Sequence, residues 1–182
     1  MILKICKFLV GNDTYSHSIL ELPFSVQGYH ALLDVGCYGL SFASWYLGKD
    51  IETINAQCDK YNDVDSHTCV LIKYKNGAIA DLSSAVLLRK PNEGYIYGTK
   101  GYVHFNRFYA PQELEIRLLD GTNENIQVSY LGNGFEEQII HMCECVKNGL
   151  TESPINTFEQ SIFIAKQMDE IRKTIGIKYP QD

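Results

Sequence analysis

The spacing of apolar and polar residues changes several times along the chain, and each change predicts an element. Residues 2–10 are apolar with Lys4 and Lys7 interspersed, the texture of a strand, and Gly11-Asn12-Asp13 ends it. A polar, irregular run continues to about residue 27. Over 29–47 the period lengthens: Leu33, Cys37, Leu40, Ser44 and Leu47 fall on one helical stripe, and Gly48 supplies the stop. From 51 to 130 the texture returns to strands. Residues 68–74 and 78–82 flank Asn76-Gly77, the strongest short-range hairpin signal. Further strands are expected around 85–88, 94–97, 102–105, 113–119 and 126–130, between Pro, Gly and Asn turns. Two helices close the chain. Phe135, Ile139, Met142, Cys143 and Val146 recur at amphipathic spacing before Gly149. The last helix opens on Thr157-Phe-Glu-Gln160, which fits a capping box, and carries Ile164, Met168, Ile171 and Ile175 before Gly176.

A strand, a helix, a run of strands and two helices, without βα alternation, predict an α+β fold: an open, mainly antiparallel sheet with helices packed on one face. At 182 residues the chain fits a single domain, 1–182, with enough length to bury a proper core. The other sheet face is then uncovered, which points to a homodimer through that face.

Charge and cysteine usage narrow the partners. With 16 Lys and Arg against 22 Asp and Glu the net charge is −6, which argues against a nucleic-acid partner, since phosphate backbones are bound by clustered cations. No apolar run reaches the ~18 residues of a membrane span, and the first residues lack a signal-peptide pattern. Cys6, Cys37, Cys58, Cys69, Cys143 and Cys145 show no C-x-x-C and read as reduced thiols, so a cytoplasmic location is expected. Cys143 and Cys145, two apart on a helix, point away from each other and make no metal site.

The informative segment is Ala31-Leu-Leu-Asp34-Val-Gly36-Cys-Tyr38-Gly39-Leu40. An Asp inside an apolar helix is costly unless paired. Asp34 and Tyr38 are four apart, and His30 lies one turn earlier on nearly the same line. A carboxyl, a phenol and an imidazole on one face suit the binding of substrate hydroxyls and the transfer of a proton. Gly36 and Gly39 would let another backbone approach. The simpler alternative is a buried Asp34 tied to a neighbouring backbone amide, with Tyr38 merely packing. Gly98-Thr-Lys-Gly101 lacks phosphate-loop spacing and reads as a tight turn. His67, His104 and His141 are isolated and read as surface or satisfied polar residues. Tyr95, Tyr97, Tyr102, Phe105, Phe108 and Tyr109 could stack on a base or sugar, but sheet packing or a dimer interface explains them more simply.

Ala31-Leu-Leu-Asp-Val-Gly-Cys-Tyr38 resembles the "ALLDIG-x-Y/H" helix of the Gfo/Idh/MocA oxidoreductases. Tyr97-Gly-Thr-Lys-Gly-Tyr102 is similar to their "GTKG" turn. Gly149 through Pro154 and Asp169-Glu-Ile-Arg172…Gly176-Ile-Lys-Tyr-Pro180 are similar to their "G…ESP" and "IR…G…YP" close. The resemblance covers nearly the whole chain, in order, and implies the family's C-terminal, substrate-binding and dimerising domain. It implies that Asp34 and Tyr38 are the catalytic pair, orienting a substrate hydroxyl or carbonyl during hydride exchange with NAD(P), with His30 also on the substrate side. The implied substrate is a sugar, polyol or dihydrodiol.

Two departures stand out. Gly28-Tyr29-His30 replaces the family's Gly-rich run before "ALLD" and adds bulk where a nicotinamide would approach. The chain also has no G-x-G-x-x-G after a strand, no βαβ unit and no Glu-Lys-Pro, so the N-terminal Rossmann domain is expected to be absent. Lys90-Pro91 falls among the strands and is rejected as the catalytic lysine. The expectation is therefore no cofactor or metal in this chain, with a Rossmann domain supplied in cis or trans. A stand-alone binding or assembly module with the same fold is the alternative. A complete enzyme with unrelated chemistry around His30, Asp34 and Tyr38 is a third reading.

Overall fold

A computed structural model describes residues 3–10 and 30–178. The expected irregular run before residue 27, the start of the first helix at Tyr29 and the Tyr179-Pro180 close lie outside them.

The strands are β1 (Leu3–Val10), β2 (Ile51–Tyr61), β3 (Val64–Tyr74), β4 (Ile79–Ala85), β5 (Glu93–Gly98), β6 (Gly101–Phe105), β7 (Glu113–Leu118) and β8 (Asn123–Gln127). They form one sheet in the order β2-β3-β4-β1-β5-β6-β7-β8. All neighbours are antiparallel except β1 and β4, so the first strand lies in the middle of the sheet, parallel to β4 on one side. Each tight turn has its chemistry. Asn62 and Asp63, both left-handed at φ 49° and 63°, join β2 to β3 as a two-residue hairpin. Gly77, at φ 84°, turns β3 into β4, while Asn76 Oδ1 accepts the Ala78 N–H at 3.0 Å and Asn76 Nδ2 donates to the Leu47 carbonyl at 3.1 Å. In the Gly98–Gly101 turn a Cβ on Gly101 would lie 2.1 Å from the Arg117 carbonyl oxygen, so only glycine fits.

Alternation along β3 buries Thr68, Val70, Ile72 and Tyr74 and leaves Cys69 and Leu71 exposed. Onto the buried face pack α1 (Cys37–Leu47) and α3 (Phe158–Ile175). Leu40, Ala43 and Leu47 of α1 and Ile164 and Ile171 of α3 meet Val70, Ile72, Ala80, Leu82 and Ile96 in one core. Each of the Leu, Ile and Val side chains contributes ~1.5–3 kcal/mol on burial. Phe42 closes the core edge-on against Phe105 and Phe108, with ring centroids 5.1 and 5.9 Å apart. The open antiparallel sheet with helices on one face is the fold class read from the sequence.

Four expectations need correction. The capping box at α3 is half made: Thr157 accepts the Gln160 N–H at 3.2 Å, but the buried Gln160 side chain donates to Ser44 Oγ at 2.6 Å instead of returning to Thr157. It ties α3 to α1. Residues 86–88 are not a strand; β4 ends at Ala85, and the chain bends away before Pro91. The helix α2 (Phe135–Lys147) does not bury its apolar stripe. Phe135, Ile139, Met142 and Val146 are exposed, because the helix meets the molecule through buried Cys145 and through His141, whose Nε2 lies 2.8 Å from Ser153 Oγ. The aromatic group is two groups, since alternation on β6 sends Tyr102 and His104 to the open face and Phe105 to the core. No helix among the described residues is long and apolar enough to cross a membrane.

Candidate functional site

The segment singled out in the sequence does not begin as an α-helix. Residues Ala31–Gly36 form a π-helical turn that runs into α1 at Cys37. The Cys37 N–H reaches back five residues to the Leu32 carbonyl, the wider bond of a π turn. Such turns are uncommon and concentrate at functional sites. Gly36 permits the close seat on the sheet: a Cβ there would lie 3.2 Å from both Leu32 Cδ1 and Ser84 Oγ.

Two carboxylates satisfy the amides that open this turn. Asp34 accepts the His30 N–H at 2.6 Å, while the Asp34 N–H donates to the His30 carbonyl at 3.0 Å. From beneath, Asp65 at the start of β3 accepts the Leu32 N–H at 2.6 Å and the Thr68 hydroxyl at 2.8 Å. Its other oxygen is 3.5 Å from His30 Nδ1, and Asp65 is fully buried. Orphan amides at a helix start favour such negative groups.

This geometry redistributes the residues named from the sequence. Asp34 is exposed, so its carboxylate escapes the cost of an apolar burial while still holding a backbone amide. Tyr38, one turn on, is 52% exposed. The His30 imidazole turns inward to Asp65 and does not join them, which corrects the reading of three converging side chains. In its place stands Tyr109, whose ring centroid is 6.3 Å from that of Tyr38. Arg107 lies over the Tyr109 ring at 5.7 Å and donates to its hydroxyl at 3.3 Å. Arg107 has φ 52°, a conformation uncommon outside glycine that aims this side chain from a tight turn.

The exposed surface therefore offers one carboxylate acceptor, two phenols and a guanidinium. That set suits a neutral ligand carrying hydroxyls on an apolar ring or chain: Asp34 accepts from hydroxyls, and the tyrosine rings pack on carbon. The sequence reading placed Tyr109 in an aromatic cluster, not beside Asp34 and Tyr38. Asp65 carried no signal, because an Asp beside a turn is ordinary.

Carboxylates answer amides at each helix start among the described residues. Asp34 and Asp65 occupy the π turn, Glu136 accepts the Asn133 and Gly134 N–H groups before α2, and Glu152 accepts the Phe158 N–H of α3 at 2.6 Å. No group of three His, Cys, Asp or Glu side chains among the described residues is placed to hold a metal.

Residues 23–104 match the model of the GFO/IDH/MocA C-terminal domain. The trans-1,2-dihydrobenzene-1,2-diol dehydrogenase of Sus scrofa is 32% identical over 186 residues, covering 95% of this chain and 55% of that protein. The enzyme of the same name from Mus musculus is 30% identical, covering 83% of this chain and 47% of its own length. The chain thus spans about half the length of the curated relatives it matches. Among solved structures, a 3-ketoreductase from Actinomadura kijaniata in complex with NADP and TDP-benzene superimposes with a TM-score of 0.79 at 22% identity, covering 96% of this chain and 54% of that one. An aldose-aldose oxidoreductase from Caulobacter crescentus, complexed with glycerol, gives 0.77 at 20% identity, with 94% and 53% covered. Both have the same fold.

Proposed function

We propose, for a chain that through residues 23–104 belongs to the GFO/IDH/MocA C-terminal domain family, that it is the substrate-binding half of an NAD(P)-dependent oxidoreductase. The substrate is a CH–OH group on a sugar, polyol or dihydrodiol. Asp34 and Tyr38 orient and deprotonate that group, and Tyr109 packs on its carbon skeleton. The cofactor and the catalytic lysine come from a nucleotide-binding domain in cis or in trans. Alone, the chain neither binds NAD(P) nor turns over.

One observation carries this reading. Asp34, on a π turn fixed from below by a buried carboxylate, and Tyr38, at the start of α1, are presented to solvent one turn apart. The chain's similarity to dihydrodiol dehydrogenases over half their length supports the substrate class.

The test supplies the nucleotide-binding domain of a dihydrodiol dehydrogenase in trans and measures NADP-linked oxidation of a trans-dihydrodiol. Turnover should need both chains, and Asp34→Asn and Tyr38→Phe should each lower kcat/KM by ~10²–10⁴-fold, the usual loss for proton-transfer groups. Micromolar NADPH binding by this chain alone, or full activity in both variants, would overturn it.

The open sheet face favours a second copy of the chain as its cover. Tyr95 stacks on Tyr97 at 5.7 Å and on His104 at 4.4 Å there, and Leu71 is 48% exposed. If no nucleotide-binding domain restores turnover, that face leaves the second reading, a stand-alone assembly module.

A further inference from the structure

A groove of about 340 Å³ lies between α3 and the turns that follow α1 and β3, in the size range of small-molecule sites. Asp50 and Lys75 line it from the turns, joined by the bond from the Lys75 N–H to the Asp50 carbonyl at 2.9 Å. Lys166 and Glu170 line it from α3, four residues apart and therefore neighbours on the helix. Ile51 and the partly buried Phe163 add an apolar lining, and Lys49 at the rim is already held by Glu159 at 2.8 Å. The groove opens at the end of α1 opposite Tyr38. It belongs to the helix-covered side of the sheet, so a second copy on the open face leaves it uncovered.

Gln167 also lines this groove. Its side chain is 4% exposed, and neither Nε2 nor Oε1 has a hydrogen-bond partner. Buried polar groups are normally satisfied, and an amide left unpaired at both ends lowers stability. Ile164 and Ile171, on the same stripe of α3, pack in the core, so an apolar residue would serve the fold better at this position. No bond holds the amide, and it can turn toward a ligand without breaking one.

The lining defines the ligand's chemistry. Among the described residues Asp50, Lys75, Lys166 and Glu170 form no ion pair. Two ammonium groups and two carboxylates offer both signs without net charge, which suits a zwitterion. A simple anion would face two carboxylates, and a simple cation two ammonium groups. Gln167 presents N–H donors beside a carbonyl acceptor, and a second carboxamide answers both at once.

We propose that this groove binds a free amino acid with a carboxamide side chain, glutamine or asparagine. The ligand's α-carboxylate meets the lysines, its α-ammonium meets Asp50 or Glu170, and its methylene stem lies on Ile51 and Phe163. Its amide pairs reciprocally with that of Gln167. The corresponding acid, glutamate or aspartate, has a side chain with acceptors only and leaves the Gln167 carbonyl unanswered.

Isothermal titration of the full chain with L-glutamine, L-asparagine, L-glutamate and L-aspartate at neutral pH tests the assignment. At least one carboxamide should bind saturably at millimolar concentration or below, and about 10-fold or more tighter than the acid of the same length. Gln167→Met should abolish that preference without lowering the melting temperature, because it removes an unpaired buried amide. The double variant Lys75→Met, Lys166→Met should weaken the carboxamide and the acid alike. Saturable binding by neither carboxamide would overturn the proposal. So would equal affinity for amide and acid, or a folded Gln167→Met chain that keeps the preference. None of these outcomes involves Asp34, Tyr38 or a nucleotide-binding domain, so this site stands or falls apart from the oxidoreductase reading.

Discussion

Asp65→Ala tests whether the buried carboxylate under the π turn holds the site in place. The side chain is fully buried and accepts two hydrogen bonds, from the Leu32 N–H at 2.6 Å and the Thr68 hydroxyl at 2.8 Å, with His30 Nδ1 at 3.5 Å. Truncation leaves both donors buried without an acceptor, at about 1–3 kcal/mol each. Together that is roughly 2–6 kcal/mol. For a chain of this length each 1 kcal/mol shifts Tm by ~2–4 °C, so the melting temperature should fall by about 4–24 °C. Asp65→Asn keeps one oxygen acceptor in the same place and should lose about half as much. Urea unfolding followed by circular dichroism measures both, and Thr68→Val closes a double-mutant cycle whose coupling should be at least ~1 kcal/mol. A loss below 1 kcal/mol for Asp65→Ala would refute the argument, because water would then be reaching the site and the carboxylate would not be anchoring the turn.

Two further outcomes follow from packing. Gly101→Ala should destabilise the chain by more than about 3 kcal/mol, since its Cβ would sit 2.1 Å from the Arg117 carbonyl oxygen at a φ of 146°; chemical unfolding of the soluble variant measures it, and a near-neutral result would mean the β5–β6 turn is wrongly placed. Ile139→Ser in α2 should change stability by less than ~0.5 kcal/mol, because the side chain is 60% exposed, whereas Ile171→Ala in α3, which is fully buried, should cost about 2–5 kcal/mol. Thermal melts of the pair decide it: comparable losses would mean the α2 stripe is packed after all.

Local chemistry made most of the sheet legible. Asn76-Gly77 and the strand-like alternation on either side of it specify a hairpin before any tertiary contact is known, and the glycines after α2 and α3 end those helices as their spacing predicts. What was not legible depends on contacts between elements. The stripe on α2 has the right period for burial, yet period says only that a face is apolar and not that anything covers it. The π turn is invisible because a stripe read at i and i+4 hardly distinguishes a bond five residues back from one four back. Asp65 breaks the alternation at the head of β3, where Val64, Asp65 and Ser66 are all buried, and no pattern of apolar residues can flag a polar one.

Two groups of side chains differ in how far sequence could have reached them. Asp34 and Tyr38 share a face by helical spacing alone, but whether that face is buried or exposed depends on which residue answers the Leu32 amide, and the answer lies 33 residues away in Asp65. The open-face group of His67, Cys69, Ser83 and Lys90 shows the opposite limit. A two-residue Asn76-Gly77 turn would set Lys75 opposite Ala78 and carry Ser84 opposite Cys69, but the Tyr74 N–H bonds the Ala78 carbonyl, so Lys73 lies opposite Ile79 and Ser83 opposite Cys69. One residue of turn length thus decides which serine shares the open face with Cys69 and His67. Lys90 reaches this group from the irregular segment past Ala85, its Nζ 2.7 Å from His67 Nε2, a contact that no strand pattern encodes.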